Sequence, residues 1–306
     1  MKRFLTLLLL AAVGCGPSAG PPAGAPSAEG FPVTVTDGRG RAVTVARRPG
    51  RIVCLTPATT ETLFAVGAGP SVVAVTTTDT YPPEVKGLPT VGGYSPNTVS
   101  TEAILTAQPD LVLATTGFHD PVTDALERLG LTVLTRPDPD SFEELAAAIE
   151  LTGRATGCGD RAAAVSADLL RRVALVRGRT AAVPAADRPR VLYVLWDDPL
   201  LTAGPASFVG RMIEEAGGVN VFADAAQQFP RVSDEAVVSR RPDLILAPDH
   251  GRAGLPDRLR ARPGWGAVPA VRAGRIRTVD EDLVNRPGPR LIDGLEAVER
   301  LIREGR

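Results

Sequence analysis

A sixteen-residue segment occurs twice in this chain, and it restricts the fold more tightly than any other feature. Val99 to Ala114 reads VSTEAILTAQPDLVLA, and Val232 to Ala247 reads VSDEAVVSRRPDLILA. Nine of the sixteen aligned positions are identical, and the copies lie 133 residues apart (232 minus 99). Each copy reads as a helix, a Pro-Asp turn and a buried strand. Ser100 and Ser233 are N-cap candidates, since a Ser oxygen can accept from the orphan N–H groups of a first turn. Pro109 and Pro242 stop the helices, because Pro removes a backbone donor and clashes with the preceding turn. One supersecondary unit used twice implies two similar lobes.

The flanking segments extend this picture. Residues 31–46 alternate Val and Thr around Asp37-Gly38, which predicts a β-hairpin. RIVCLT, then PATTETLFAVGAG, then VVAVTTT predicts strand, helix, strand, hence a parallel sheet in an N-terminal α/β lobe over residues 31–139. Residues 140–185 are rich in Ala, Leu, Arg and Glu with helical periodicity, broken near Gly157-Cys158-Gly159. Their second half, from Asp160 to about Arg179, predicts one long helix. RVLYVLW then opens a C-terminal α/β lobe over residues 186–306. The expected fold class is α/β: two Rossmann-like lobes with parallel sheets, joined by a single long α-helix, with a ligand cleft between them. A helical spine predicts modest closure, in contrast to flexible strand hinges.

The N-terminus carries an address. Lys2 and Arg3 precede an apolar run from Phe4 to Val13, too short for the ~20 residues a bilayer requires. The segment 1–15 therefore reads as a signal peptide, and Ala12-Val13-Gly14-Cys15 resembles a bacterial lipobox, in which the Cys is lipidated. The usual Leu three residues before that Cys is Ala12 here. Residues 16–30 are almost entirely Gly, Pro, Ala and Ser, the composition of a tether. An extracytoplasmic, membrane-anchored location through Cys15 is expected, in either a Gram-negative or a Gram-positive envelope. Cys54 and Cys158 are expected to be unpaired. The formal net charge of −1 argues against a nucleic-acid binder. The chain has no GxSxG, P-loop, GxGxxG or HExxH motif.

Several segments together resemble the helical-backbone substrate-binding proteins of ABC importers, a family serving vitamin B12, ferric siderophores, haem and some metals. They are RIVCLTPATTETLFAVGAG, TYPPEVKGLPTVGG, TEAILTAQPDLVLA, LTAGPASFVGRMIEEAGGVNVF and FPRVSDEAVVSRRPDLILA, within residues 48–303. FPRVSDEAV and PPEVKGLP are most similar to the vitamin B12-binding branch. The resemblance implies a non-enzymatic binding protein with no cofactor of its own. Its corrinoid ligand would lie between the lobes, and its partners would be a permease dimer with ATPase subunits. Haem or a ferric siderophore is the alternative ligand; an exported metal-dependent hydrolase using His119 and His250 is the alternative from another class.

Site candidates follow. Tyr81, Tyr94, Phe118, Trp196 and Phe229 all fall where strands give way to loops, and a flat ligand binds well to ring faces. The alternative is that some of these rings fill the lobe cores. Tyr94 and Phe229 stand where the B12 branch would carry Trp. His119 and His250, the only histidines, follow the two copies of the repeated strand. Imidazole is able to ligate a cofactor's cobalt or iron; the alternative is a solvated loop residue. Arg286, with Asn285, is similar to the family position where an Arg meets ligand side groups. Asp197-Asp198 and Asp280-Glu281-Asp282 predict an acidic rim, suited to a neutral ligand carrying amides. Glu102 and Glu235 hold the same place in both repeats. Each complements a helix macrodipole, and the family resemblance adds a role: one Glu per lobe pairing with an Arg on each half of a two-fold permease.

Overall fold

The computed structural model describes residues 30–248 and 254–304. The signal segment with Cys15, nearly all of the tether, and His250 lie outside the described residues.

The chain opens with an antiparallel hairpin, β1 (Val33–Thr36) and β2 (Ala42–Val45). The N-terminal lobe follows as β3 (Ile52–Cys54), α1 (Pro57–Ala65), β4 (Val72–Ala74), α2 (Thr101–Thr106), β5 (Leu111–Thr115), α3 (Asp120–Arg128) and β6 (Val133–Arg136). Its four strands are ordered β4-β3-β5-β6, all parallel. The helical segment consists of α4 (Phe142–Thr156) and the 23-residue α5 (Gly159–Ala181). Gly157 separates them with a φ of 71°, a left-handed conformation that glycine adopts without strain.

The C-terminal lobe contains β7 (Arg190–Asp197), β8 (Leu200–Thr202), α6 (Phe208–Glu215), β9 (Val219–Asn220), α7 (Asp234–Arg240), β10 (Leu244–Pro248), α8 (Leu255–Arg260), α9 (Pro269–Arg272), β11 (Ile276–Val279), α10 (Glu281–Asn285) and α11 (Leu291–Glu304). Its sheet runs β11-β10-β7-β8, with β9 beside β7. The lobe is not purely parallel: β8 returns antiparallel onto β7.

The repeat occupies equivalent places. α2–β5 and α7–β10 are its two copies, and each helix begins with the expected cap. Ser100 Oγ accepts from Ala103 N–H at 3.1 Å, and Ser233 Oγ from Ala236 N–H at 3.2 Å.

One apolar core runs through both lobes and the spine. It joins Ile52, Leu111 and Leu134 on the N-terminal sheet to Leu169, Val173 and Val176 of α5 and to Val191, Leu244 and Leu295 beyond. Arg177 of α5 adds polar ties to Glu143 of α4 at 2.6 Å and Glu215 of α6 at 2.8 Å. These pairs are partly exposed and individually worth little. The shared core is what resists lobe separation, because parting the lobes fully would expose apolar surface at about 25 cal/mol per Å². Cys54 is buried and Cys158 half-buried, and both are free thiols.

Candidate functional site

Parallel strands of the two sheets end at a cleft of about 500 Å³ between the lobes. Ligands of open α/β sheets bind at such carboxyl ends. The N-terminal lobe contributes Thr56 after β3, Thr115 of β5, Arg136 of β6, and Tyr94, Asp138 and Asp140 from loops. The C-terminal lobe contributes Leu195, Phe208, Gln228, Phe229, Asn285 and Arg286.

The predicted aromatics divide into two groups. Tyr94 and Phe229 line the cleft, 39% and 41% exposed, so each offers a free ring surface. Phe118 stacks on Tyr94, centroids 4.8 Å apart and planes 20° apart, and backs that ring without lining the cavity itself. Tyr81 and Trp196 do not line it. Arg290 lies 3.7 Å over the Tyr81 ring, a cation–π contact. The Trp196 indole N–H donates to the Asp198 carbonyl at 2.8 Å.

His119 overturns both readings of it. It neither faces the cleft nor sits in solvent; it is fully buried. Its Nδ1 accepts from Thr115 N–H at 3.3 Å, which leaves Nε2–H to donate to the Tyr94 carbonyl at 3.0 Å. Burial lowers its pKa, against the raising effect of the Tyr94 carbonyl and Asp120, so the ring is held neutral. It meets the Tyr94 and Phe118 rings edge-on. His119 is therefore a brace beneath an aromatic platform.

The same loop depends on Gly92, whose φ is 105° and whose missing Cβ would lie 2.0 Å from the Thr98 carbonyl oxygen. Gly92→Ala must displace backbone at a position that disfavours any side chain. The expected loss is about 2 kcal/mol, measured by denaturant titration, and an unchanged midpoint would contradict it.

The acidic rim is corrected as well. Asp197 is buried and paired with Arg258 at 2.8 Å. Asp280 caps α10 by accepting from Asp282 N–H at 2.9 Å, and Asp282 pairs with Arg286 at 2.8 Å. Among the described residues, the carboxylates that line the cleft are Asp138 and Asp140, which the sequence reading did not single out.

Arg286 does line the cleft, but it also reaches across to the other lobe. It donates to Thr80 Oγ1 at 2.9 Å and lies 3.7 Å from Glu61 of α1. Asn285 Oδ1 accepts from the Tyr193 hydroxyl at 2.9 Å. Beside them Arg290 grips Glu61 with two hydrogen bonds, 2.9 and 2.7 Å. Glu61 and Arg290 thus tie the two lobes together beside the cleft-lining Ala58, Arg286 and Pro287. Glu102 and Glu235 are both exposed in the first turns of α2 and α7.

Comparison with known proteins agrees with this architecture. Residues 52–283 match the family described as periplasmic binding protein. The uncharacterized ABC transporter substrate-binding lipoprotein YvrC of Bacillus subtilis is 35% identical over 278 residues, 90% of this chain and 86% of that one. A cobalamin-binding protein of Halobacterium salinarum is 33% identical over 312 residues, 95% of this chain and 82% of its own. Among solved structures, the periplasmic haem-binding protein BhuT in complex with two haems superimposes with a TM-score of 0.76 at 33% identity, covering 83% of this chain and 98% of that one. Two α/β lobes on a helical spine, a cleft at their strand ends and these matches lead to one assignment: the chain belongs to the periplasmic binding protein family, as a substrate-binding protein of the helical-backbone ABC-importer class.

Proposed function

We propose that this protein is the extracytoplasmic, lipid-anchored binding component of an ABC importer, that it carries a corrinoid in its interlobe cleft, and that it performs no catalysis. The observation that carries the reading is the cleft lining: an aromatic platform of Tyr94 backed by Phe118 on one lobe, and Phe229 on the other. Such rings suit a broad, flat macrocycle. The cobalamin-binding relative from Halobacterium salinarum supports the same ligand class. The lipidated Cys15 and its tether would hold the protein near the permease, and Glu102 and Glu235 would each meet a basic residue on one permease subunit.

Haem is the second reading, favoured by the similarity to the haem-binding structure. Haem iron takes an imidazole, thiolate, thioether or phenolate ligand. His119 is unsuited, since both ring nitrogens are engaged and buried. The Tyr94 phenol is pushed up, first by burial and then by Asp138, which disfavours the phenolate that iron would need. The hydrolase reading loses His119 for the same reason. Among the described residues, no three His, Cys, Asp or Glu side chains group as metal ligands.

Calorimetric titration of the purified protein with cyanocobalamin and with haemin tests the ligand. The corrinoid is expected to bind stoichiometrically with a Kd well below ~10 μM, about −7 kcal/mol. Haemin binding more tightly than cyanocobalamin, with a Soret shift, would replace the corrinoid reading with the haem one.

A further inference from the structure

Of the side chains that line the cleft, Arg136 alone carries a buried nitrogen with no hydrogen-bond partner among the described residues. It ends β6 and is 3% exposed. Its Nε donates to Thr59 Oγ1 at 2.8 Å, and its Nη2 to the Pro287 carbonyl at 3.2 Å. Nη1 is left over, and no carboxylate of the described residues lies within ion-pair distance of the guanidinium. A buried cation with an unused donor is costly unless something completes it. Thr59 belongs to the same lobe as Arg136, and Pro287 to the other. Pro287 therefore covers the guanidinium from the other lobe, and a small parting of the lobes would expose Nη1 to the cleft.

Two residues along the chain, Asp138 also lines the cleft. It remains open to solvent, and it has no hydrogen bond to Arg136. The cleft walls push its carboxyl pKa up; Arg136 opposes that and Asp140 adds to it. Arg136 thus offers a donor and Asp138 an acceptor on the same stretch of cleft lining. Two ligand groups fit this pair differently. A carboxylate satisfies Arg136 but meets like charge at Asp138. A primary carboxamide has a carbonyl for Nη1 and an NH₂ for the Asp138 carboxylate, and leaves neither protein group unpaired.

We propose that Arg136 and Asp138 form a subsite that holds a primary carboxamide arm of the ligand and selects it over the corresponding carboxylic acid. The subsite rests on the corrinoid reading, since corrinoids carry such amide arms, whereas haem carries propionates. It makes Arg136 and Asp138 specificity-determining residues of the cleft.

The test titrates the full-length protein, and its D138N and R136L variants, with cyanocobalamin and with a panel of its monocarboxylic acids, each having one amide arm hydrolysed. Wild type is expected to bind at least one acid of the panel about tenfold more weakly than the parent amide, the effect of one lost charge-assisted contact. D138N keeps an acceptor oxygen but not the charge. It should bind the parent amide several-fold more weakly than wild type, because the charge assistance is lost, and shrink the penalty on that acid to under about threefold. R136L, if circular dichroism shows it folded, should bind the parent amide about tenfold more weakly or worse. Discrimination that survives D138N unchanged, or a panel bound as well as the parent by wild type, overturns the subsite while leaving the corrinoid reading intact. Failure of wild type to bind cyanocobalamin at all overturns both.

Discussion

Import is expected to cease when Glu102→Arg and Glu235→Arg are combined, while calorimetry of the same variant finds ligand affinity unchanged. The two carboxylates are exposed and sit at matched positions on matched helices, one per lobe. Under the proposed docking role, a two-fold permease would present the same basic residue twice, and each lobe would offer the same acid to it. Reversing a charge at such a rim juxtaposes like charges, which costs several kcal/mol and slows association. Neither Glu lines the cleft, which is why binding should survive. The fold should survive too. An acid in a first turn contributes ~0.3–1 kcal/mol to its helix, small beside the stability of a domain. A single reversal should leave partial transport, and Glu150→Arg, an exposed acid on α4, should leave it whole. Uptake in whole cells of labelled cyanocobalamin reads the result. Normal uptake by the double variant, or lost affinity in the purified protein, would remove these residues from the docking role.

Those two residues also show how far the sequence carries. Ser100, Glu102 and Pro109 recur as Ser233, Glu235 and Pro242 because each lobe needs the same cap, the same first-turn acid and the same stop. A local rule therefore predicts them, and the structure keeps them equivalent. The spine was legible for the same reason: α5 is a run of helix formers with its break at Gly157. β8 was not legible, since a three-residue strand returning onto β7 carries no period of its own. The cleft was legible only in part. Tyr94 and Phe229 fall beside Pro and Gly in loops, so exposure was a fair inference. His119 looks identical in that respect, and its burial depends on the Tyr94 loop folding back over it, a contact 25 residues away in the chain. Arg136 had a signal that was not used: it is the one charged residue of the strand VLTR, followed at once by Pro137 and Asp138. The residues joining the lobes were the least legible. Glu61 and Arg290 are 229 positions apart, and only the docking of two finished lobes makes them neighbours.

That pair supports the other large prediction. Glu61→Ala should destabilise the protein by about 3 kcal/mol and weaken ligand binding, whereas Glu61→Gln should do noticeably less. The Glu61 side chain is 2% exposed, while Arg290 and Arg286 are 21% and 19% exposed. Removing one partner of a buried ion pair usually costs ~3–5 kcal/mol, because the other charge is left without compensation. Here the arginines can partly rehydrate beside the cleft, which places the loss at the low end. Gln retains the shape and an acceptor for Arg290, so it loses the charge but not the packing. The close approach of Gly288 sharpens the argument: a Cβ there would lie 3.2 Å from the Ala58 carbonyl oxygen and 3.4 Å from Glu61 Oε2. The segment bearing Arg286 and Arg290 therefore sits directly on α1, with Glu61 as its charged anchor. Without that anchor the unliganded lobes should sample wider separations, and a ligand would have to restore the geometry at the expense of its own affinity. Thermal melts should rank wild type above E61Q and E61Q above E61A, with E61A lower by roughly 6 °C at ~2 °C per kcal/mol. Small-angle scattering of unliganded E61A should give a larger radius of gyration than wild type. A melt and a scattering curve both indistinguishable from wild type would mean that the shared apolar core alone sets the lobe geometry, and that Glu61 and its arginines only decorate the lobe contact.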